Sequence, residues 1–202
     1  SALLEANKRD FGMAVVPSYN FAKADYIVSF DADFLGTWIS PIEYSRDYAE
    51  NRKIKSIKNA KMSRHVQVES GMSMTGSNAD NRILVKPSEQ GAAIAALYNA
   101  LGMGSVSAPK VNDKAAKALA KIASDLKKHQ GHALVVSASN NVAEQCLVNA
   151  INQAIGSYGS TITFGNYSLQ RQGRDADVQA LISEMNAGGV DAVLLMGGAN
   201  PA

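Results

Sequence analysis

The chain runs repeatedly through short apolar stretches that lack the in-out alternation of a half-exposed strand. Residues 24–30 carry Tyr26-Ile27-Val28-Ser29-Phe30, residues 132–137 carry Ala133-Leu134-Val135-Val136, and Ala192-Val193-Leu194-Leu195-Met196 lies near the end. Shorter candidates are Val66-Gln67-Val68-Glu69, Ile83-Leu84-Val85 and Thr161-Ile162-Thr163-Phe164. A strand that is apolar on both sides must be covered on both faces, which is the condition of a parallel sheet between helices. Helical patterns fill the gaps. Pro41 opens one that runs to about Asn51 through Ile42, Tyr44 and Tyr48. Ser88 is read as the cap of a second, ending near Gly102, and Asp113 as the cap of a third, ending near His129. The third places Ala116, Leu119, Ala120, Ile122, Ala123 and Leu126 on one face. Residues 142–155 form a fourth helix, and an amphipathic stretch, 175–187, stops at Gly188-Gly189. The alternation predicts an α/β fold, a mostly parallel sheet flanked by helices and Rossmann-like.

The chain is expected to be a piece of one such domain over residues 1–202, with sub-halves 1–108 and 109–202 divided at the Gly/Ser/Pro stretch 102–109. It starts without Met and stops just after an apolar run, so it reads as part of a longer protein. Hydrophobic residues make up 46% of its 202 residues and charged residues 19%, which supports a sizeable core and excludes disordered and coiled-coil classes. The net charge of +2 implies no strong field toward nucleic acid or a membrane, so no nucleic-acid partner is expected, and no apolar run is long enough for a membrane span, so no direct membrane insertion of this chain is expected. Cys146 is the only cysteine, which excludes an intrachain disulfide and a cluster held by this chain's cysteines alone.

Ligands of open parallel sheets sit beyond the carboxyl ends of the strands. Four loops qualify, 31–40, 70–81, 138–141 and 197–201, all rich in small and polar residues. Asp31 and Asp33 follow a strand directly and suit either metal binding or loop and helix-end hydrogen bonds, of which the second is preferred. His65, His129 and His132 have no metal-ligand spacing and read as structural. Cys146 reads as a small core residue, Trp38 as an anchor for its loop, and Met72 and Met74 as either ligand-lining or gap-filling. The six basic residues of 52–64 read as a solvated connection or a contact for an acidic partner. No catalytic or metal-binding constellation stands out.

Residues 24–38, Ala24-Asp25-Tyr26-Ile27-Val28-Ser29-Phe30-Asp31-Ala32-Asp33-Phe34-Leu35-Gly36-Thr37-Trp38, resemble a segment of the molybdopterin oxidoreductase superfamily. The closest resemblance is to the molybdopterin-like region of the iron–sulfur subunit of alternative complex III, a quinol:electron-acceptor oxidoreductase. Lys61-Met62-Ser63-Arg64-His65, Glu69-Ser70-Gly71-Met72-Ser73-Met74-Thr75-Gly76, Lys86-Pro87-Ser88-Glu89 and the closing Gly197-Gly198-Ala199-Asn200-Pro201 agree in order and spacing. The resemblance implies cofactor-binding positions at Asp33, Gly197, Gly198, Asn200 and Pro201. Catalytic members hold a molybdopterin guanine dinucleotide in a Gly-x-Asn-Pro type loop and an Asp-Pro-Arg loop. Here Asp31-Ala32-Asp33 and Glu69-Ser70-Gly71 stand in those places, acidic where phosphates would lie. The resemblance therefore implies a non-catalytic scaffold, with iron–sulfur clusters elsewhere in the parent. It also implies a periplasmic position among other subunits of a membrane-bound respiratory complex. Two alternatives remain open: the cofactor-binding part of an active molybdopterin oxidoreductase, and a free-standing small-molecule or nucleotide-binding module.

Overall fold

A computed structural model describes residues 1–54, 56–170 and 172–196. Four strands form one parallel sheet: β2 (Tyr26–Phe30), β3 (Arg64–Glu69), β4 (Asn81–Leu84) and β5 (Ala133–Ser137), in the order β4-β3-β2-β5. The fold is α/β and Rossmann-like. Tyr26, Val28 and Phe30 face one layer, made by α4 (Gln90–Ala100), α5 (Asp113–Lys128) and α6 (Val142–Ala154). Ile27, Leu134 and Val136 face the other, where α1 (Ala2–Phe11) supplies Leu4 and α2 (Pro41–Glu50) supplies Tyr44 and Tyr48. Burial on both faces is the physical reason β2 and β5 carry continuous apolar runs. The division at residue 108 runs through this sheet, since β5 pairs with β2.

Several local expectations change. The α5 cap is Asn112, whose side chain accepts from the Ala115 N–H, and Asp113 is the first helical residue. Ala116 and Ala120 point to solvent, and Ala115 takes the core position. Ser88 does not cap α4: a short 3-10 turn, Pro87–Glu89, precedes the helix, and the Glu89 carboxylate accepts from the Lys86 N–H. Ile42 is exposed on α2. The polar loop after β3 contains a one-turn helix, α3 (Met74–Ser77), and Asn81 already belongs to β4. Met72 and Met74 are both exposed, so neither fills a gap against the sheet.

The stretch at Thr161 does form a strand, β6 (Ile162–Ser168), but outside the parallel sheet. It pairs antiparallel with β1 (Val16–Tyr19), which sequence reading left unassigned along with α1. The register slips between Val16 and Ser18, where Pro17 has no N–H to give. The amphipathic helix forms as α7 (Asp175–Asn186), yet none of its residues is buried. Residues 192–196 are exposed and make no strand, because no described neighbour pairs with them. Among the described residues no helix is long and apolar enough to cross a membrane.

The sheet stops at β5 for a specific reason. The outward-facing backbone groups of β5 are taken by side chains instead of a further strand. Asn152 of α6 donates to the Val135 carbonyl at 2.7 Å and accepts from the Val135 N–H at 3.0 Å, as a neighbouring peptide would. Ser157 and Thr161 both donate to the Ala133 carbonyl, and Gln145 donates to that of Ser137. Buried backbone groups must be paired, and these residues pair them while closing the edge. Asn152→Ala should leave both Val135 groups unpaired and cost about 2–4 kcal/mol. Urea denaturation should show this as a lowered midpoint, while Ala120→Gln on the exposed face of α5 should stay within about 0.5 kcal/mol of the parent.

Candidate functional site

From β2 the chain steps outward to β3 and then β4, and later returns to place β5 on the other side of β2. Loops leaving β2 and β5 therefore diverge at their carboxyl ends, the position where open α/β sheets leave a crevice. A cleft of about 730 Å³ opens there. Asp31 follows β2 at its mouth, residues 137–141 follow β5 along one wall, and the first turn of α4 with residues 106–109 forms the other.

The loop after β5 is fixed from several sides. The Ala138 N–H donates to the Phe30 carbonyl at 3.0 Å, and Gln145 donates to the Ser139 carbonyl at 2.7 Å. Asn141 caps α6, its side chain accepting from the Ala143 and Glu144 N–H groups. Glu144 accepts from the Ser139 hydroxyl at 2.5 Å. A side chain at Gly91 would collide with the Glu144 carboxylate, so α4 passes this point as bare backbone. The buried amide oxygen of Gln90, another residue of the wall, has no hydrogen-bond donor among the described residues.

Asp31 sits in the left-handed region, at φ 55°, and donates its N–H to the Val68 carbonyl. Partial burial raises its carboxyl pKa, and the nearby Glu69 charge adds to this against a backbone N–H bond from Ser70. The ionisable side chains of the cleft wall are thus Asp31 and Glu144, and no Lys, Arg or His lines it among the described residues. Like charges brought together in such a cleft repel one another. A pyrophosphate does not fit this chemistry, and no step through a molybdopterin dinucleotide follows from it.

Asp33 lies apart from the cleft. Its carboxylate accepts from the Thr75 N–H at 3.0 Å and the Thr75 hydroxyl at 2.8 Å, tying the loop after β2 to α3. Thr75 in turn accepts from the Leu35 N–H. Gly197, Gly198, Asn200 and Pro201 lie outside the described residues. Trp38 packs against Tyr19 and Tyr44, as an anchor would. Cys146 is half-buried on α6, and burial, with Asp10 nearby, raises its thiol pKa. No group of three or more His, Cys, Asp or Glu side chains is placed to hold a metal among the described residues.

Glu69 differs from the expected repelling acid. It is buried and meets Arg82 Nε at 2.5 Å, the Ser73 hydroxyl at 2.6 Å and the Gln67 amide at 3.2 Å. Burial pushes its pKa up, but these donors outweigh it and hold the carboxyl below its ordinary range. A side chain at Gly76 would fall on this carboxylate. Gln67 links Glu69 onward to His65 Nε2 at 3.1 Å, and His65 Nδ1 lies 3.2 Å from the Tyr48 hydroxyl. Burial of the ring lowers the His65 pKa from 6.5 to about 4.

Sequence reading missed Glu144, Gln90 and Gly91. The spacing Asn141-x-x-Glu144 ahead of an apolar helix was the available signal, since an N-cap followed three residues later by Glu marks a helix start. In comparisons with known proteins, no family model matches the chain and no curated protein matches it.

The buried histidine gives a pH dependence with a definite sign. Unfolded His65 takes up a proton near pH 6.5 and folded His65 near pH 4, so the unfolded state holds more protons between them. Stability should therefore fall as pH drops from about 6.5 to about 4, by up to about 3 kcal/mol. Asp31, with its raised pKa, acts in the opposite sense, while Glu69 and Asp80 lose their contributions as pH falls below their ordinary values of 4.5 and 3.8, so that Glu69 adds to the fall at the acid end of the range. Urea unfolding across this range should show the slope, and His65→Gln should flatten it.

Proposed function

We propose that this chain is a scaffold part of a molybdopterin oxidoreductase-like iron–sulfur subunit in a respiratory electron-transfer complex, and is not itself catalytic. On this reading the parent is periplasmic, its clusters are held in another region, and its partners are the other subunits of a membrane-bound assembly. The observation that carries the proposal is the acid-lined cleft at the switch point. Its place in the sheet is that of a dinucleotide site, but Asp31 and Glu144 supply negative charge where a pyrophosphate needs donors. The loops that the resemblance aligns with cofactor loops serve internal bonds instead: Asp33 holds Thr75, and Glu69 holds Arg82 and Ser73. The exposed apolar positions of α7, among them Leu181, Ile182 and Met185, agree with a chain that packs against more protein.

Acid and iodine treatment of the full-length parent, followed by fluorescence, is expected to release no oxidised pterin. Stoichiometric pterin would overturn the scaffold reading in favour of an active oxidoreductase. Titration calorimetry of GDP into this chain should likewise give no measurable heat, and binding in the micromolar range would count against it. The cleft volume also suits a module for a small uncharged molecule. That reading requires the melting temperature of this chain to rise with a nucleoside, whereas the scaffold reading requires no rise.

A further inference from the structure

The segment between α2 and β3 stands out at the opposite end of the sheet from the cleft. No acidic residue occurs between Glu50 and Glu69, while Arg52, Lys53, Lys55, Lys58, Lys61 and Arg64 all do. Its base is pinned. The Ser63 N–H donates to the Asn51 carbonyl at 3.0 Å, and Asn51 donates to the Ala24 carbonyl at 2.6 Å. Arg52 donates to the Ser63 carbonyl and forms a two-pronged pair with Asp80, both prongs at 2.8 Å. Lys61 meets Asp25 at 2.8 Å. Two cations of the segment are thus neutralised at the base.

Beyond that base the chain projects. Ile57, at the start of the short 3-10 turn Ile57–Asn59, is 94% exposed, Ile54 is 55% exposed and Met62 is 47% exposed. Lys53 and Lys58 are exposed beside them, and neither has an ion-pair partner among the described residues. A loop that holds two isoleucines in water has left a core unmade. The pinned base fixes where the segment leaves and rejoins the fold.

We propose that this loop is a peripheral docking surface for an anionic phospholipid bilayer, with Ile54 and Ile57 entering the headgroup boundary and Lys53 and Lys58 reaching the lipid phosphates. Charge complementarity carries the choice of partner. Lysines gather at negatively charged leaflets, and their stems lie along apolar surface while their ammonium groups stay at the polar boundary. An acidic protein partner fits less well. Protein interfaces are depleted in lysine and enriched in aromatic residues and arginine, and residues 49–64 hold no aromatic residue. Their two arginines flank the projecting part, and Arg52 is already paired with Asp80. Such contact needs no spanning helix. The inference stands independently of the scaffold reading, because it rests on a different end of the molecule.

Co-sedimentation of this chain with vesicles tests it. Binding is expected to vesicles of equimolar phosphatidylglycerol and phosphatidylcholine, but not to phosphatidylcholine alone, and to weaken as salt rises. Lys53→Gln with Lys58→Gln should lower the partition about twenty-five-fold, at roughly fivefold per lysine. Ile57→Ser should lower it about tenfold, and Ile54→Ser serves as a second apolar variant. The four residues are exposed, so an unchanged melting temperature confirms that each variant is folded. Equal binding to both vesicle types would overturn the proposal. So would loss with the lysine variant alone while both isoleucine variants bind as the parent does, since that marks simple electrostatic adsorption. Loss on Leu181→Ser in α7, with the loop variants unaffected, would also overturn it.

Discussion

β2 is enclosed on all four sides, and the rest of the molecule is arranged by that fact. β3 and β5 take its backbone groups on the two edges, and helices cover its two faces. Inside such an enclosure every polar group must find a partner within the protein. Ser29 does so by donating to the Ala32 carbonyl, just where the chain leaves the strand. Asp31 follows at a left-handed φ, a conformation that Asp tolerates better than most side chains. The tight exit turns the chain out of the sheet at once and leaves space above the strand end. Because β5 leaves in a different direction, that space becomes a cleft.

The same requirement for pairing decides where the sheet ends. A parallel edge strand with unpaired groups is an open invitation to another strand. Here Asn152, Gln145, Ser157 and Thr161 occupy the outward groups of β5. β6 therefore finds its partner in β1, on the α1 and α2 side of the sheet. On the opposite edge, β4 is short and largely exposed, and Arg82 reaches back from it to Glu69. An arginine on an edge strand both discourages further pairing and neutralises the one acid buried at the end of β3.

These mechanisms explain which features could be read in the sequence. The parallel sheet was legible because burial on both faces leaves a direct mark, the unbroken apolar run of Tyr26–Phe30 or Ala133–Ser137. β1 left no such mark. It is four residues long, contains Pro17, and owes its strand character to pairing with β6, some 145 positions away. The cap of α5 was misplaced by one residue because Asn112 and Asp113 are both good caps, and only backbone geometry distinguishes them. Residues 192–196 have the composition of a strand, but a strand needs an edge, and a local pattern cannot say whether one is free. For the site, the loops were identified but not the side chains. Asp31 and Asp33 look equivalent in the sequence. One residue of loop between them is enough to send Asp31 to the cleft and Asp33 to Thr75.

The distribution of charge follows from the same architecture. A net charge of +2 suggests a nearly neutral surface, yet the two ends of the sheet differ sharply. At the carboxyl ends of β2 and β5 the cleft wall carries Asp31 and Glu144. At the amino ends of β2 and β3 the projecting loop carries Lys53 and Lys58 next to Ile54 and Ile57. In a parallel sheet all strands point one way, so loops before the strands and loops after them gather at opposite ends. Charge placed in the two kinds of loop is therefore separated by the length of the strands, with an apolar core between. Screening over a Debye length of about 8 Å makes each end act locally on whatever approaches it. The net charge is then the wrong quantity for judging partners. One end of this molecule carries acids at the place where open parallel sheets leave a crevice. The other end offers cations and apolar side chains together, on a loop whose base is fixed by Arg52, Asn51 and Lys61.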